Sequence, residues 1–288
     1  MSEIGPGAAD PVGPADPVEL LEVATEAAAA AAALVRERRR GAVAVAATKS
    51  TPTDVVTEAD RASESLIREV VARRRPGDAF HGEEGDDTVG STGVRWIVDP
   101  IDGTVNYLYG IGRYAVSIAA EHDGRVVAGV VVDVDRDVWF TAHRTATMVE
   151  ARRDGRPLAV RPPVPLDQRL VATGFSYDAR IRQLQAAAMV TLLPRVRDLR
   201  RMGSAALDIC GVAEGTLDAY VEEGVHVWDH AAACLVAEGA GARWEVATGV
   251  GGTRFIQVAP GHGYDELWTL VAEAGLLAPD AVAGVAPD

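Results

Sequence analysis

The sequence predicts an α+β half followed by an α/β half, and two patterns predict it. Between about Ala115 and Gly155, apolar and polar residues alternate in short runs. These runs are punctuated by His122-Asp123-Gly124 and Asp154-Gly155, the pattern of antiparallel hairpins. From Leu170 onward, short apolar runs alternate with segments of helical spacing, the pattern of a mixed layer of strands and helices. At 288 residues the chain has length for one large domain or two packed subdomains.

A composition of 48% apolar and 24% charged residues is that of a globular protein. The net charge of −14 argues against wrapping nucleic acid, which needs a surplus of Lys and Arg. It does not argue against small phosphorylated substrates, because a bound metal can supply positive charge locally. No run reaches the roughly 18 to 20 apolar residues of a membrane span, so no membrane partner is expected. Cys210 and Cys234 lie in apolar helical patterns and read as buried, reduced thiols.

Met1–Asp16 is acidic and rich in Pro and Gly, with too few large apolar residues to order itself, so a disordered tail over 1–16 is expected. It has no basic start of a secretory signal, and the expected location is cytoplasmic. Asp16-Pro17 reads as an N-cap and first helical residue of a helix running to about Arg40, ended by Gly41. Ala42–Ala47 is a short strand candidate. Thr57 and Asp60 have capping-box spacing and open a helix through about Arg75, stopped by Pro76-Gly77. His81–Gly85 reads as a loop with paired acids. Strands are expected at Ala115–Glu121, Arg125–Val134, Val138–Ala142 and Thr147–Ala151.

Pro162, Pro163 and Pro165 break the pattern, placing a boundary between subdomains 17–161 and 162–288. The second carries strands at Leu170–Gly174, Asp198–Arg201, Leu217–Glu222, Trp244–Thr248 and Phe255–Ala259. Its helices are expected at Ala179–Leu193, from Gly203-Ser204 through Ala213, at His230–Ala240 opened by Asp229, and at Tyr264–Ala274.

The chemistry centres on Val94–Tyr109. The apolar run Trp96-Ile97-Val98 reads as the end of a buried strand that delivers Asp99 and Asp102, with Pro100 expected to force the chain out of the sheet. Gly103-Thr104 follows as a helix start whose backbone N–H groups can hold an anion. Carboxylates for hard cations beside donors for a phosphate are the parts of a metal-assisted phosphoester hydrolase. Asp60, Glu83 and Asp229 occupy similar places, each on a loop or helix start after an apolar run. Each has an ordinary alternative: Asp60 as a first-turn acid favoured by the helix dipole, Glu83 as a solvated loop acid. His226 and His230 lack a zinc-protease helix pattern, and Gly249–Gly252 lacks the ending of a P-loop. Arg200-Arg201 reads as a solvated pair, with a second substrate phosphate or a partner subunit as the alternatives.

Taken together, these segments resemble the inositol monophosphatase family. WIVDPIDGTVNY, from Trp96, resembles its first signature, and VWDHAAACLVAEGAGA, from Val227, its second. Gly82-Glu83-Glu84, the segment Lys49–Asp60 and GSAALDIC at Gly203–Cys210 match further blocks in the same order. The resemblance runs from about Pro17 to the C-terminus and implies the layered αβαβα sandwich of the sugar-phosphatase type.

It also implies roles. Glu83 and Asp99, with the carbonyl of Ile101, would hold one Mg²⁺; Asp99, Asp102 and Asp229 would hold a second; a third would lean on Glu83 and water. The N–H groups of Gly103 and Thr104 would bind phosphate, and Thr104, bonded to Asp60, would orient the attacking water. Ser204, Ala205, Ala206 and Glu222, together with Asp102 and Asp229, would contact substrate, and Lys49 would tune the cluster's charge. The implied activity is Mg²⁺-dependent hydrolysis of myo-inositol monophosphate, sensitive to Li⁺, in a homodimer. Histidinol phosphate and fructose 1,6-bisphosphate are the alternative substrates. A catalytically silent regulatory binding protein of the same fold is the alternative from another class. Ser204 stands where Thr is common in the family, and Tyr107 where Phe is common; both leave substrate preference open.

Overall fold

The computed structural model describes residues 15–41, 43, 45–48 and 55–282. Nearly all of the expected tail (1–14) and Lys49 lie outside the described residues.

Helix α1 (Pro17–Arg39) is capped by Asp16, whose carboxylate accepts from Val18 N at 3.0 Å. Its buried stripe, Leu20, Val23, Ala24, Ala27, Ala28, Ala31, Ala32 and Val35, repeats at helical spacing. Mostly alanine, it lets α1 lie close against its neighbours. A small ladder, β1 (Val45–Thr48) with β2 (Val55–Thr57), leads into α2 (Glu58–Arg74), which opens with the expected Thr57/Asp60 capping box. Then come β3 (Ala79–Gly82), β4 (Val94–Asp102), the short helix α3 (Thr104–Tyr109), β5 (Ala115–His122), β6 (Arg125–Asp133), β7 (Val138–Arg144), β8 (Val149–Arg153) and β9 (Arg156–Pro157). Strands β3 to β9 form one seven-stranded sheet in sequence order, antiparallel except for the parallel pair β3–β4. Its β5–β6 and β8–β9 turns place Asp123-Gly124 and Asp154-Gly155 at positive φ, as two-residue hairpins require.

The rest of the chain gives β10 (Leu170–Thr173), α4 (Ala179–Leu192), β11 (Asp198–Arg200), α5 (Ala205–Ala213), β12 (Ala219–Glu223), α6 (Val227–Gly239), β13 (Ala242–Thr248), β14 (Arg254–Pro260), α7 (Tyr264–Glu273) and α8 (Pro279–Val282). The five-stranded sheet has the order β11-β10-β12-β14-β13. Strand β10 is parallel to both neighbours, and β14 is antiparallel to both of its own.

Three apolar cores stack these parts. The first lies between α1, α2 and the outer face of the seven-stranded sheet. The second encloses α5 and α6 between the two sheets, and the third joins the outer face of the five-stranded sheet to α4 and α7. The result is the αβαβα sandwich. A helix between two sheets must be apolar all round, and α6 is: Ala231 to Ala237 are all buried, Cys234 among them as a free thiol, like Cys210 on α5. Gly129 on β6 permits this packing, because a Cβ there would sit 3.0 Å from Ala232 Cα. No described helix is long and apolar enough to cross a membrane.

Three local expectations are corrected. Pro100 does not eject the chain from the sheet: β4 continues to Asp102 through a bulge between Asp99 and Asp102, where proline's missing N–H costs no ladder bond. The segment Ala79–Gly82, read in part as loop, is a strand paired to β4. Asp229 does not start its helix but is the third residue in, after the N-cap His226.

Candidate active site

The acids expected to act together come from four separate elements, and strand pairing is what gathers them. The parallel register sets Gly82 beside Val98, and Glu83 N donates to Val98 O at 3.2 Å, so Glu83 emerges next to Asp99. The two carboxyl groups lie within hydrogen-bonding reach of one another. Gly82 is glycine because Glu64 of α2 packs there: a Cβ would be 2.4 Å from its carboxylate. Glu64, buried and paired to Arg68 at 2.9 Å, accepts from Glu84 N at 2.7 Å and Gly85 N at 2.9 Å. It fixes the loop that presents Glu83.

Asp99 is 2% exposed and accepts from Ile101 N at 3.0 Å across the bulge. Burial pushes its carboxyl well above the usual range, and the charges of Glu83, Asp102 and Asp229 add to the shift. Asp229 is raised well above its usual value by burial first, then by Glu83 and Asp102; His226 N, donating at 2.6 Å, opposes this. Asp102 is pushed up to about 6 by burial although three donors reach it: Ser204 Oγ at 2.5 Å, Ala206 N at 2.7 Å and Ala205 N at 3.2 Å.

Asp60 lies behind this group, fully buried. It accepts from Thr57 N at 2.9 Å, from the Thr57 hydroxyl, and from Thr104 Oγ1 at 3.0 Å. Burial still raises its pKa. The Thr104 oxygen also lies 3.0 Å from Ile101 O, so its single proton serves one acceptor at a time. Gly103 precedes it at φ +98°, a conformation that favours glycine, with no room for a Cβ beside the carbonyls of Arg113 and Gly203 at 3.0 Å. Among the described residues, neither the Gly103 nor the Thr104 N–H is drawn into a loop or turn hydrogen bond.

Glu83, Asp99, Ile101, Asp102, Gly103, Thr104 and Asp229 open on one cleft of about 640 Å³ at the junction of the two sheets. Its other wall carries Ser204, Ala205, Glu222, Arg201, Phe175 and Tyr177. Glu222 accepts from Tyr220 OH at 2.7 Å and is pushed up to about 7, chiefly by burial. Gly174 makes room for it, since a Cβ would fall 2.0 Å from its carboxylate. A second concavity of about 570 Å³, beside the start of α1, holds His122, His143, Arg125 and Arg144 but none of the gathered acids.

Two expected residues sit apart from the cleft surface. Asp60 reaches it only through Thr104, and Ala206 is fully buried with its N–H spent on Asp102. Lys49 lies outside the described residues. Arg201 is exposed, as read, and also lines the cleft. Sequence reasoning missed Glu64, Tyr220 and Trp228, whose ring stacks on His226 with centroids 4.8 Å apart. Glu64 had one signal, Arg68 at i+4 on the same helix; Tyr220 and Trp228 had none.

No three His, Cys, Asp or Glu groups among the described residues already meet at an ion-sized point. Asp60, Asp99, Asp102 and Asp229 each accept from a donor of the chain itself. Among the described residues, no Lys or Arg pairs with Asp60, Asp99, Asp102 or Asp229. An all-oxygen, acidic donor set of this kind fits a hard divalent cation such as Mg²⁺ better than Zn²⁺.

Residues 16–276 match the model of the inositol monophosphatase family. An inositol-1-monophosphatase of Mycobacterium bovis is 43% identical over 269 residues, covering 88% of this chain and 93% of its own. A Pasteurella multocida protein named Nus factor SuhB is 39% identical over 196 residues, covering 67% and 72%. The solved structure of Mycobacterium tuberculosis SuhB aligns with a TM-score of 0.78 at 40% identity, over 92% of this chain and 100% of that one.

Proposed function

We infer the reaction from one premise: this chain belongs to the inositol monophosphatase family. We propose that it is a Mg²⁺-dependent phosphomonoesterase that hydrolyses myo-inositol monophosphate to myo-inositol and phosphate. The observation that carries the reading is the single cleft shared by Glu83, Asp99, Asp102, Asp229 and the Thr104–Asp60 pair. Glu83, Asp99, Asp102, Asp229 and the Ile101 carbonyl would hold two to three ions. When bound, these would offset the crowded negative charge and supply Lewis acidity toward the attacking and departing oxygens.

The chain's own groups do the rest. The N–H groups of Gly103 and Thr104 bind the phosphate oxygens. Thr104 Oγ1, with its proton directed at Asp60 Oδ1, leaves a lone pair to accept from and aim a water. Asp60 is buried and its pKa is raised, so it is a competent final acceptor for that water's proton. Ser204 and Ala205 border the alcohol side, and Glu222 accepts from ring hydroxyls. An acid at that place disfavours a second phosphate, which separates inositol phosphates from fructose 1,6-bisphosphate. Steady-state kinetics on inositol 1-phosphate, histidinol phosphate and fructose 1,6-bisphosphate, with Mg²⁺ and with added Li⁺, test the assignment. Hydrolysis of none, or preference for another ester, overturns it.

Relatives named Nus factor support a second reading, a binding protein that keeps the fold without turnover. The same assay decides between them. We also propose a homodimer in the cytoplasm. Supporting the dimer, α4 and the residue that ends it expose Leu184, Val190 and Leu193; light scattering tests it.

A further inference from the structure

The two walls of the cleft belong to different sheets, so something must hold them at a fixed spacing. One link is Asp102, reaching from β4 to the start of α5. That carboxylate is also a proposed ion ligand, and a cation competes for its oxygens. A second link carries no charge. Asn106, buried on α3, donates from Nδ2 to Arg113 O at 2.8 Å and to Met202 O at 2.7 Å. Both neighbours are acceptors only, so the nitrogen must face them and the amide has one orientation.

Arg113 lies in the segment entering β5, and Met202 in the segment entering α5. One side-chain amide therefore ties α3 to both. At the same point the backbones touch. A Cβ on Gly203 would lie 2.8 Å from Asn106 Nδ2, and one on Gly103 would lie 3.0 Å from Gly203 O. Arg113 adds its own bond across the joint, to Asp208 of α5 at 2.9 Å. The spacing between Gly103-Thr104 and Gly203–Ala205 is thus set where glycine meets glycine, with the Asn106 amide as the pin.

We propose that Asn106 is a positioning residue, holding the phosphate side of the cleft in register with its alcohol side. This rests on the phosphatase reading above. A substrate that touches both walls feels any change in their spacing, and one that engages only the phosphate side does not.

Asn106→Asp is nearly isosteric but replaces the two-donor nitrogen with an oxygen that faces two carbonyls. Asn106→Ser is milder and keeps one donor. The test compares kcat/KM for inositol 1-phosphate with that for 4-nitrophenyl phosphate, which has no hydroxyls for Glu222, well below each variant's Tm. For Asn106→Asp we expect inositol phosphate to lose roughly tenfold or more relative to the nitrophenyl ester, with kcat falling as well as KM rising. Asn106→Ser should fall between. A merely structural role lowers both substrates by the same factor, and that outcome overturns the proposal. Should the wild-type chain hydrolyse neither ester, the phosphatase reading fails by itself. Amide hydrogen exchange on the same variants then decides the pin: faster exchange at 103–109 and 202–206 together supports it, and unchanged exchange at either segment overturns it.

Discussion

The two walls of the cleft solve different problems. The wall from β3, β4 and α6 gathers acids that repel one another, with no described cation paired to Asp99, Asp102 or Asp229. The wall from β12 and the start of α5 has partners for its polar groups, one within it and two across the joint: Glu222 has Tyr220, Ser204 has Asp102, and Asp208 has Arg113. The first wall crowds carboxyls whose repulsion raises their pKa values, and it is where the proposed cations would bind. The polar groups of the second are already partnered. The proposed reading thus divides catalysis and specificity between the two sheets.

The largest effect should come from the crowded wall. Asp99→Asn removes the carboxylate at its centre, and activity should fall a hundredfold or more while far-UV circular dichroism stays native. Removing like charge should leave Tm unchanged or raised, which sharpens the contrast. Unchanged turnover would sink the site assignment. Next, Thr104→Ala deletes the hydroxyl between Asp60 and the cleft. We expect kcat to drop by about 10²-fold with KM nearly constant, and Thr104→Ser to restore most of it.

Between the walls, α6 carries His230, which is 6% exposed and has neither ring nitrogen hydrogen-bonded among the described residues. Burial, helped by the charge of Arg254, pushes it down to about 4. Because the folded pKa is depressed, the neutral form stabilises the fold above the unfolded value of about 6.5. That stability is lost as pH falls toward 4, on the order of 3 kcal/mol by the lower end. Because the raised carboxyls of Asp99, Asp102, Glu222 and Asp229 gain stability over the same range, the His230 share is the difference between wild-type and His230→Phe melts from pH 7 to pH 4.5, in which the variant should lose less, or gain more, as pH falls. The smallest effect belongs to the satisfied wall. Glu222→Gln keeps the Tyr220 contact, so KM for inositol 1-phosphate should rise by roughly tenfold with kcat changed little. An equal loss in kcat would erase the distinction between the walls.

Much of this was legible before any fold existed, for local reasons. Turn chemistry placed Asp123-Gly124 and Asp154-Gly155, capping preference placed Asp16 and the Thr57/Asp60 box, and alternation placed the hairpins. The acids could be nominated individually because each follows an apolar run. Where the local rules erred, a longer-range pairing had overruled them. Pro100 stays in its strand because a bulge absorbs it, and Ala79–Gly82 is a strand because β4 offers it a parallel edge.

What the sequence determined by itself is the order of strands, helices and turns, together with the identity of the acids that could hold a cation. Those follow from residue type and spacing within a few positions along the chain. Only the tertiary structure decided that Glu83 would face Asp99, that Asp60 would meet the Thr104 hydroxyl, that Ala206 would be buried, and that Arg201 would line the cleft. Each depends on strand register and on how closely two sheets approach around α5 and α6. That approach is fixed by packing between residues as much as 102 positions apart, which no local pattern encodes.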